Sequence, residues 1–361
     1  MQTLIGILFH RLFGLFYENR MAIHPAAWPK AAFLLLLSVR NSTFHRIEQK
    51  RYAQKFEQVN VRPDPVFILG HWRSGTTILH KLMSLDENFS YPNIFQIYNP
   101  NTFLVTMPIL RERLEKLKGQ KRPMDRMKVR YNDPGEEEFA VSVMCLRSPV
   151  LSWVFPNNQT HYNRFLTFKS ASQIEIDEWK QALLLFMKKL SVNNDQPILL
   201  KSPQNTARIR LLLELFPNAR FIHIHRNPFH TFRSTQSLYE NTVTTFHAQK
   251  NHNHNLQNHI LDQYNEMYDA FFEQRCLIPS ANYTEISFEK LEQDYVRSLE
   301  FIYESLNLNG FAAFKPRLEK ELAGYKSHKK NDYQALEADL RQNIVQSWSR
   351  NFDEWKYPCY E

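Results

Sequence analysis

Cysteine is scarce in this chain. Cys145, Cys276 and Cys359 are three, odd in number and far apart along 361 residues. That argues against a disulfide framework or a zinc site and suits a reducing compartment. Long apolar runs are missing too. The greasiest stretches, residues 4–9 with 12–16 and then residues 31–37, are broken by His10-Arg11 and closed by Arg40. Neither reaches the ~20 residues that a bilayer crossing needs. No basic start leads to a small-residue cleavage site, so no secretory leader is expected. Internal repeats and long low-complexity segments are also lacking. The basic residues are dispersed rather than striped, which leaves nucleic acid an unexpected partner.

What is present reads as a folded protein. Hydrophobic residues make up 43% and charged residues 23%, close to globular averages, and the length is enough to bury a proper core. Lys and Arg number 45 against 37 Asp and Glu, a net charge of +8. Such a surplus favours anionic partners: phosphorylated nucleotides or acidic lipid surfaces.

Residues 1–48 differ in kind from the rest, so a hydrophobic helical extension is expected there, followed by one domain over 49–361. The extension has two readings: a pair of helices packed on the domain, or an in-plane membrane anchor and lip for a greasy substrate. From Pro65 the pattern becomes α/β. Val66-Phe67-Ile68-Leu69, Ile198-Leu199-Leu200 and residues 221–225 read as buried parallel strands. Helical spacing follows each, over 76–85, 207–216 and beyond Pro228. That alternation predicts a central parallel sheet flanked by helices, a P-loop-like three-layer fold. The section from 100 to 190 reads as mostly helical, and the His/Asn alternation over 251–255 as a solvated loop rather than a metal site.

Two anion grips emerge. Gly70-His71-Trp72-Arg73-Ser74-Gly75-Thr76-Thr77 joins a strand to a helix. The N–H groups of such a turn, with the positive end of the helix, form a nest for phosphate oxygens. Its glycine spacing matches the nucleoside-triphosphatase loop, but that loop's Lys is replaced by Thr76, and the cation has moved to Arg73. No later strand ends in the Asp expected to help hold magnesium; the third ends in His225-Arg226. A metal-dependent kinase is therefore disfavoured. In the second grip, Arg226 at the strand end is followed eight positions later by Ser234 on the next helix. The guanidinium can fork onto two phosphate oxygens and the hydroxyl can donate to a third. Two grips on two strands suit a nucleotide phosphorylated at both its 5' and 3' ends.

With these residues in view the chain resembles the PAPS-dependent sulfotransferases, PAPS being 3'-phosphoadenosine-5'-phosphosulfate. Residues 72–77 look like their 5'-phosphosulfate loop, and Arg226 with Ser234 like their 3'-phosphate motif. Leu200-Lys201-Ser202-Pro203 and the acidic segment from Asp133 to Ala140 resemble the bacterial branch related to tyrosylprotein sulfotransferases. The likeness covers about residues 65–310. It implies that PAPS is the sulfuryl donor, bound by Arg73, Ser74, Gly75, Thr76, Thr77, Arg226 and Ser234, with no metal. Phe288-Glu289 stands where many members have Tyr-Glu, which implies stacking in place of an adenine hydrogen bond. Ser327-His328-Lys329-Lys330 is a candidate for a late basic loop over the nucleotide, or else an exposed charged turn.

Sulfuryl transfer is an in-line displacement at a small anionic centre, catalysed mainly by positioning and charge stabilisation. Arg73 and the loop N–H groups are placed to stabilise the leaving phosphate, and Lys201 is the candidate for a further cation. The acceptor hydroxyl or amine needs a general base. The resemblance favours Glu136 or Glu138, with His80 as runner-up, although acids at a helix start also follow from the dipole alone. The acceptor is a small molecule or lipid of unread identity, and an apolar one suits the greasy N-terminus. The oligomeric state is not legible. A cytoplasmic protein is expected, with a peripheral place at the inner membrane face if the extension docks there. The rival classes are a P-loop kinase and a non-catalytic nucleotide- or membrane-binding protein on the same fold.

Overall fold

Four consecutive apolar residues with both faces covered make a central parallel strand, and Val66–Leu69 (β1) is buried at every position. In the computed structural model, which describes residues 1–116, 120–121, 128–250, 255–324 and 335–360, it is joined by Leu199–Lys201 (β2), Arg220–His225 (β3) and Tyr283–Ser287 (β4). The order across the sheet is β2-β1-β3-β4. Phe67 lies opposite Phe221, and Ile222 opposite Thr284, in parallel registers. The chain leaves β1 toward one edge and β3 toward the other. With right-handed crossovers, this puts a topological switch between the carboxyl ends of β1 and β3, where open α/β sheets bind ligands. This is the expected fold, and the sheet is parallel throughout. β4 had not been expected: it is an edge strand with alternating burial rather than an apolar run.

The chain divides into two compact units, residues 1–63, 90–200 and 241–253 forming the first and residues 64–89, 201–240 and 254–361 the second. In the first, the segment expected to be a greasy extension forms the helices Phe9–Glu18 and Trp28–Gln58. The second helix runs well past Arg40, where the apolar stretch ends. It is anchored inside the unit by Glu48, which is wholly buried, pairs with Lys189 at 2.5 Å and accepts from the Leu104 N–H at 2.9 Å. Burial pushes the Glu48 carboxyl up and the Lys189 ammonium down, while each charge opposes the other's shift. Removing one partner leaves a buried charge uncompensated, so the pair locks the helix. Lys189 sits near the end of Gln173–Leu190, which begins with a Ser172/Glu175 capping box.

In the second unit β1, β3 and β4 carry helices at their carboxyl ends. Gly75 starts Thr76–Met83, Asn227 caps Pro228–Leu238, and Ser287 caps Phe288–Gln293. Two late helices, Ala338–Ser347 and Ser349–Trp355, complete it. Trp348 of this segment is buried and stacks on Tyr264, ring centroids 3.7 Å apart. The His/Asn alternation over 251–254 and the basic run 327–330 lie outside the described residues.

Candidate active site

The loop after β1 is shaped by backbone that only certain residues tolerate. Arg73 and Gly75 both adopt positive φ, at 71° and 102°, and alternation of this kind turns successive N–H groups toward one side. A side chain at Gly75 would strike the Phe288 ring at 2.3 Å. At Gly70 it would strike the Ile224 carbonyl at 2.4 Å. The loop therefore lies flat against β3 and Phe288. Its start is pinned by the Gly70 N–H donating to Thr206 Oγ1 at 2.7 Å. Ser74 turns both its donors onto the His71 carbonyl, the N–H at 3.1 Å and the hydroxyl at 2.8 Å, so its part is to close the loop. Beyond Gly75, the first N–H groups of Thr76–Met83 lack intrahelical acceptors, as at any helix start, and carry the positive end of the dipole.

The two expected grips meet. Arg73 Nε donates to Ser234 Oγ at 2.8 Å, and Arg226 donates through a terminal nitrogen to the Arg73 carbonyl at 3.2 Å. Each grip thus holds a member of the other. Lys201, nearly buried at the end of β2, donates to Thr77 Oγ1 at 3.4 Å. Three cations and a helix N-terminus gather round residues 73–77. That donor set fits a nucleotide with anionic groups at two ends, and glycine at 70 and 75 is what the close packing demands.

Phe288 makes contacts that the spacing alone did not show. One face of its ring carries the Arg226 guanidinium, 4.5 Å from the centroid, while its edge meets Gly75. The residue links the two grips directly. Spacing alone did not show Thr206, nor the contacts of His225, Glu289 and Tyr357 beside Arg226. Only the Pro-fixed turn after Lys201 hinted at the first.

His80 is buried on Thr76–Met83 in the second unit. The acidic candidates lie in the first. Glu136 is half-buried at the N-cap of Glu137–Cys145, so the helix begins one residue after it. Glu138 is buried and accepts from the Ser148 hydroxyl at 2.6 Å. Among the described residues no group of three or more His, Cys, Asp or Glu is arranged to hold a metal ion.

Comparison with known proteins agrees with this geometry. A model of the sulfotransferase family matches residues 65–313. The omega-hydroxy-beta-dihydromenaquinone-9 sulfotransferase Stf3 of Mycobacterium tuberculosis is 30% identical over 353 residues, covering 98% of this chain and 90% of its own length. The Stf3 of Mycobacterium bovis matches equally. Among solved structures, sulfotransferase STF9 from Mycobacterium avium superposes with a TM-score of 0.68 at 19% identity, over 92% of this chain and 86% of that one. Sulfotransferase STF1 from M. tuberculosis gives 0.67 at 16% identity, over 95% and 92%; these two speak for the fold. The kinase and non-catalytic readings give way. With a family model spanning more than half of its length and a relative aligned along nearly all of it, this chain belongs to the sulfotransferase family.

Proposed function

We propose that residues 73–77 hold the 5'-phosphosulfate end of PAPS, that Arg226 and Ser234 hold its 3'-phosphate, and that the acceptor is a lipid-like hydroxyl or amine reached at a membrane surface. The reaction class follows from the family: a sulfuryl group passes from PAPS to an acceptor, and 3',5'-adenosine bisphosphate is released. In that step the acceptor oxygen or nitrogen bonds to sulfur, the sulfur–oxygen bond to the 5'-phosphate breaks, and the acceptor proton goes to a base.

One observation carries the donor assignment: the mutual bracing of Arg73, Ser234 and Arg226 around one loop. Arg73 and the first helical N–H groups stabilise charge on the leaving phosphate, where preorganised donors act most strongly. Lys201 adds a cation beside Thr77. Ser74 also keeps the loop closed through the His71 carbonyl. For the base, resemblance points to Glu136 or Glu138, with His80 as runner-up. Glu138 accepts from Ser148 and Glu136 stands at the N-cap of the same helix, and both are kept as candidates. With donor binding intact, Glu136→Gln or Glu138→Gln is expected to lower kcat about 100-fold or more, the usual scale of general-base catalysis. Unchanged turnover in Glu136→Gln and Glu138→Gln alike contradicts the assignment.

The acceptor class is supported by a relative whose name gives a lipophilic menaquinone derivative as its acceptor. It is supported too by the outward face of the N-terminal helices. Phe9, Phe13 and Tyr17, four apart, point away from the core. So do Trp28, Phe33, Leu36 and Val39 on the long helix, with Tyr17, Leu36 and Phe33 at 75%, 73% and 60% exposure. Exposed Arg40, Arg46, Lys50 and Arg51 follow on that helix. An apolar tip backed by cations is complementary to an anionic bilayer surface. Among the described residues no helix is long and apolar enough to cross a membrane, so the proposed docking is peripheral, at the inner face in the cytoplasm. The test is radiolabelled PAPS with a membrane-lipid extract: label is expected in the lipid phase, and label confined to water-soluble products contradicts the acceptor class.

A further inference from the structure

We infer that Tyr357 is a positioning residue for the 3'-phosphate grip: through Glu289 and His225 it fixes both residues that flank Arg226. The inference rests on the donor assignment above and adds a part of the chain that the family model, ending at residue 313, does not reach.

The contacts form one continuous path. Tyr357 donates to Glu289 Oε2 at 2.8 Å, and the other oxygen of that carboxylate accepts from the Asn227 N–H at 3.1 Å. On its other side, the Tyr357 oxygen lies 2.8 Å from His225 Nδ1. A phenol has one proton and an ionised carboxylate only accepts, so His225 must donate here through Nδ1–H. Burial, and secondarily His223, holds the His225 imidazole down at about 3, leaving it neutral. Burial and Glu289 push the Tyr357 phenol well above its ordinary range. Both groups therefore keep these donor roles at any ordinary pH.

Arg226 is thus bracketed. The following residue, Asn227, is tied to the Glu289 carboxylate directly, and the preceding one, His225, is tied to it through the Tyr357 phenol. Next to that carboxylate in sequence, Phe288 presents its ring to the guanidinium. The segment that delivers Tyr357 is itself ordered. Trp355 lies flat on His225, 4.6 Å between centroids and 4° between planes. Lys356 then takes a left-handed conformation that ends its helix, and the Tyr357 N–H returns to the Phe352 carbonyl at 3.0 Å. A guanidinium at a strand end has many rotamers, and holding the residues on both sides of it lowers the ordering cost when phosphate binds.

The test is calorimetric titration of the full chain with 3',5'-adenosine bisphosphate and, separately, with 5'-AMP, which lacks the 3'-phosphate. Tyr357→Phe removes one hydroxyl and keeps the ring. It is expected to weaken the bisphosphate about tenfold, the scale of one charge-assisted hydrogen bond, and to leave 5'-AMP unchanged. Glu289→Gln should shift the same ratio in the same direction, and 5'-AMP affinity reports in each variant that the site is folded. Equal weakening of both nucleotides, or of neither, overturns the inference. Arg226→Ala separates the two levels. If it erases the preference for the bisphosphate while Tyr357→Phe does not, only the role of Tyr357 falls. If Arg226→Ala also keeps the preference, the donor assignment falls and takes this inference with it.

Discussion

The loop over residues 70–77 and the helices over residues 9–58 dispose of their side chains in opposite ways. In the loop, polar groups are drawn inward and hold one another: Gly70 to Thr206, Ser74 to His71, Arg73 to Ser234, Lys201 to Thr77. In the helices, Leu12, Leu15 and Phe16 form a core while a second set of apolar residues, Phe9, Phe13 and Tyr17, is left outward. The first arrangement suits the proposed donor site, a charged receptor for one small anionic ligand. The second is a surface whose apolar residues have value only against something equally apolar. Exposed aromatic patches of this kind mark interaction faces, whereas preorganised cations at a helix N-terminus mark a phosphate site. On the proposed reading, the difference separates donor from acceptor by physical chemistry.

Changes in one region should therefore leave the other's binding untouched. The largest effect is expected from Arg73→Ala and Arg226→Ala, each lowering kcat/KM for PAPS about 100-fold or more, since each removes a charged hydrogen-bonding partner and a brace of the other grip. Vesicle binding should be unchanged, and a parallel loss of both contradicts the separation. Next is a combined Phe13→Ser, Tyr17→Ser, Phe33→Ser and Leu36→Ser variant. It is expected to lose sedimentation with anionic vesicles at least about tenfold, from the apolar area withdrawn, and to keep its affinity for 3',5'-adenosine bisphosphate. Smaller still is Gly75→Ala. The added methyl meets Phe288 at a positive φ, and a melting temperature lowered by a few degrees, with weakened donor binding, is the expected reading.

The smallest effect concerns pH. His71 is buried in the loop, and desolvation lowers its pKa to about 4. Its folded value lies below the unfolded 6.5, so between those values the native state binds fewer protons than the unfolded state. Above pH 6.5 the burial of His71 costs nothing in protonation, and stability falls progressively as pH drops from 6.5 toward 4. His71→Asn should flatten the melting-temperature profile across that window, and an unaltered slope contradicts the assignment.

Much of the candidate donor site was legible because its signal is polar and local. Gly70, Arg73 and Gly75 fall within six residues, and Arg226 and Ser234 within nine, each just after an apolar strand. Spacing of that kind survives without knowledge of the fold. What escaped was decided by long-range packing. Glu289 meets Tyr357 across 68 residues of chain, and no pattern in either segment announces it. β4 has the mixed composition of a half-covered edge, Tyr283-Thr284-Glu285-Ile286-Ser287, and lacks the apolar run that marked β1. The outward aromatics escaped for another reason. Residues 9–17 are apolar on both helical faces, and periodicity tells which residues share a face but not which face is covered. The long helix passed Arg40 because Glu48 finds Lys189, a buried pairing that charge counting reads as a solvated stretch.

The most direct test is the electron density of a crystal of this chain grown with 3',5'-adenosine bisphosphate. The 5'-phosphate is predicted against the N–H groups following Gly75, with the 3'-phosphate on the Arg226 guanidinium and the Ser234 hydroxyl. A nucleotide bound elsewhere, or one whose 3'-phosphate faces solvent with Arg226 still directed at the Arg73 carbonyl, contradicts the account.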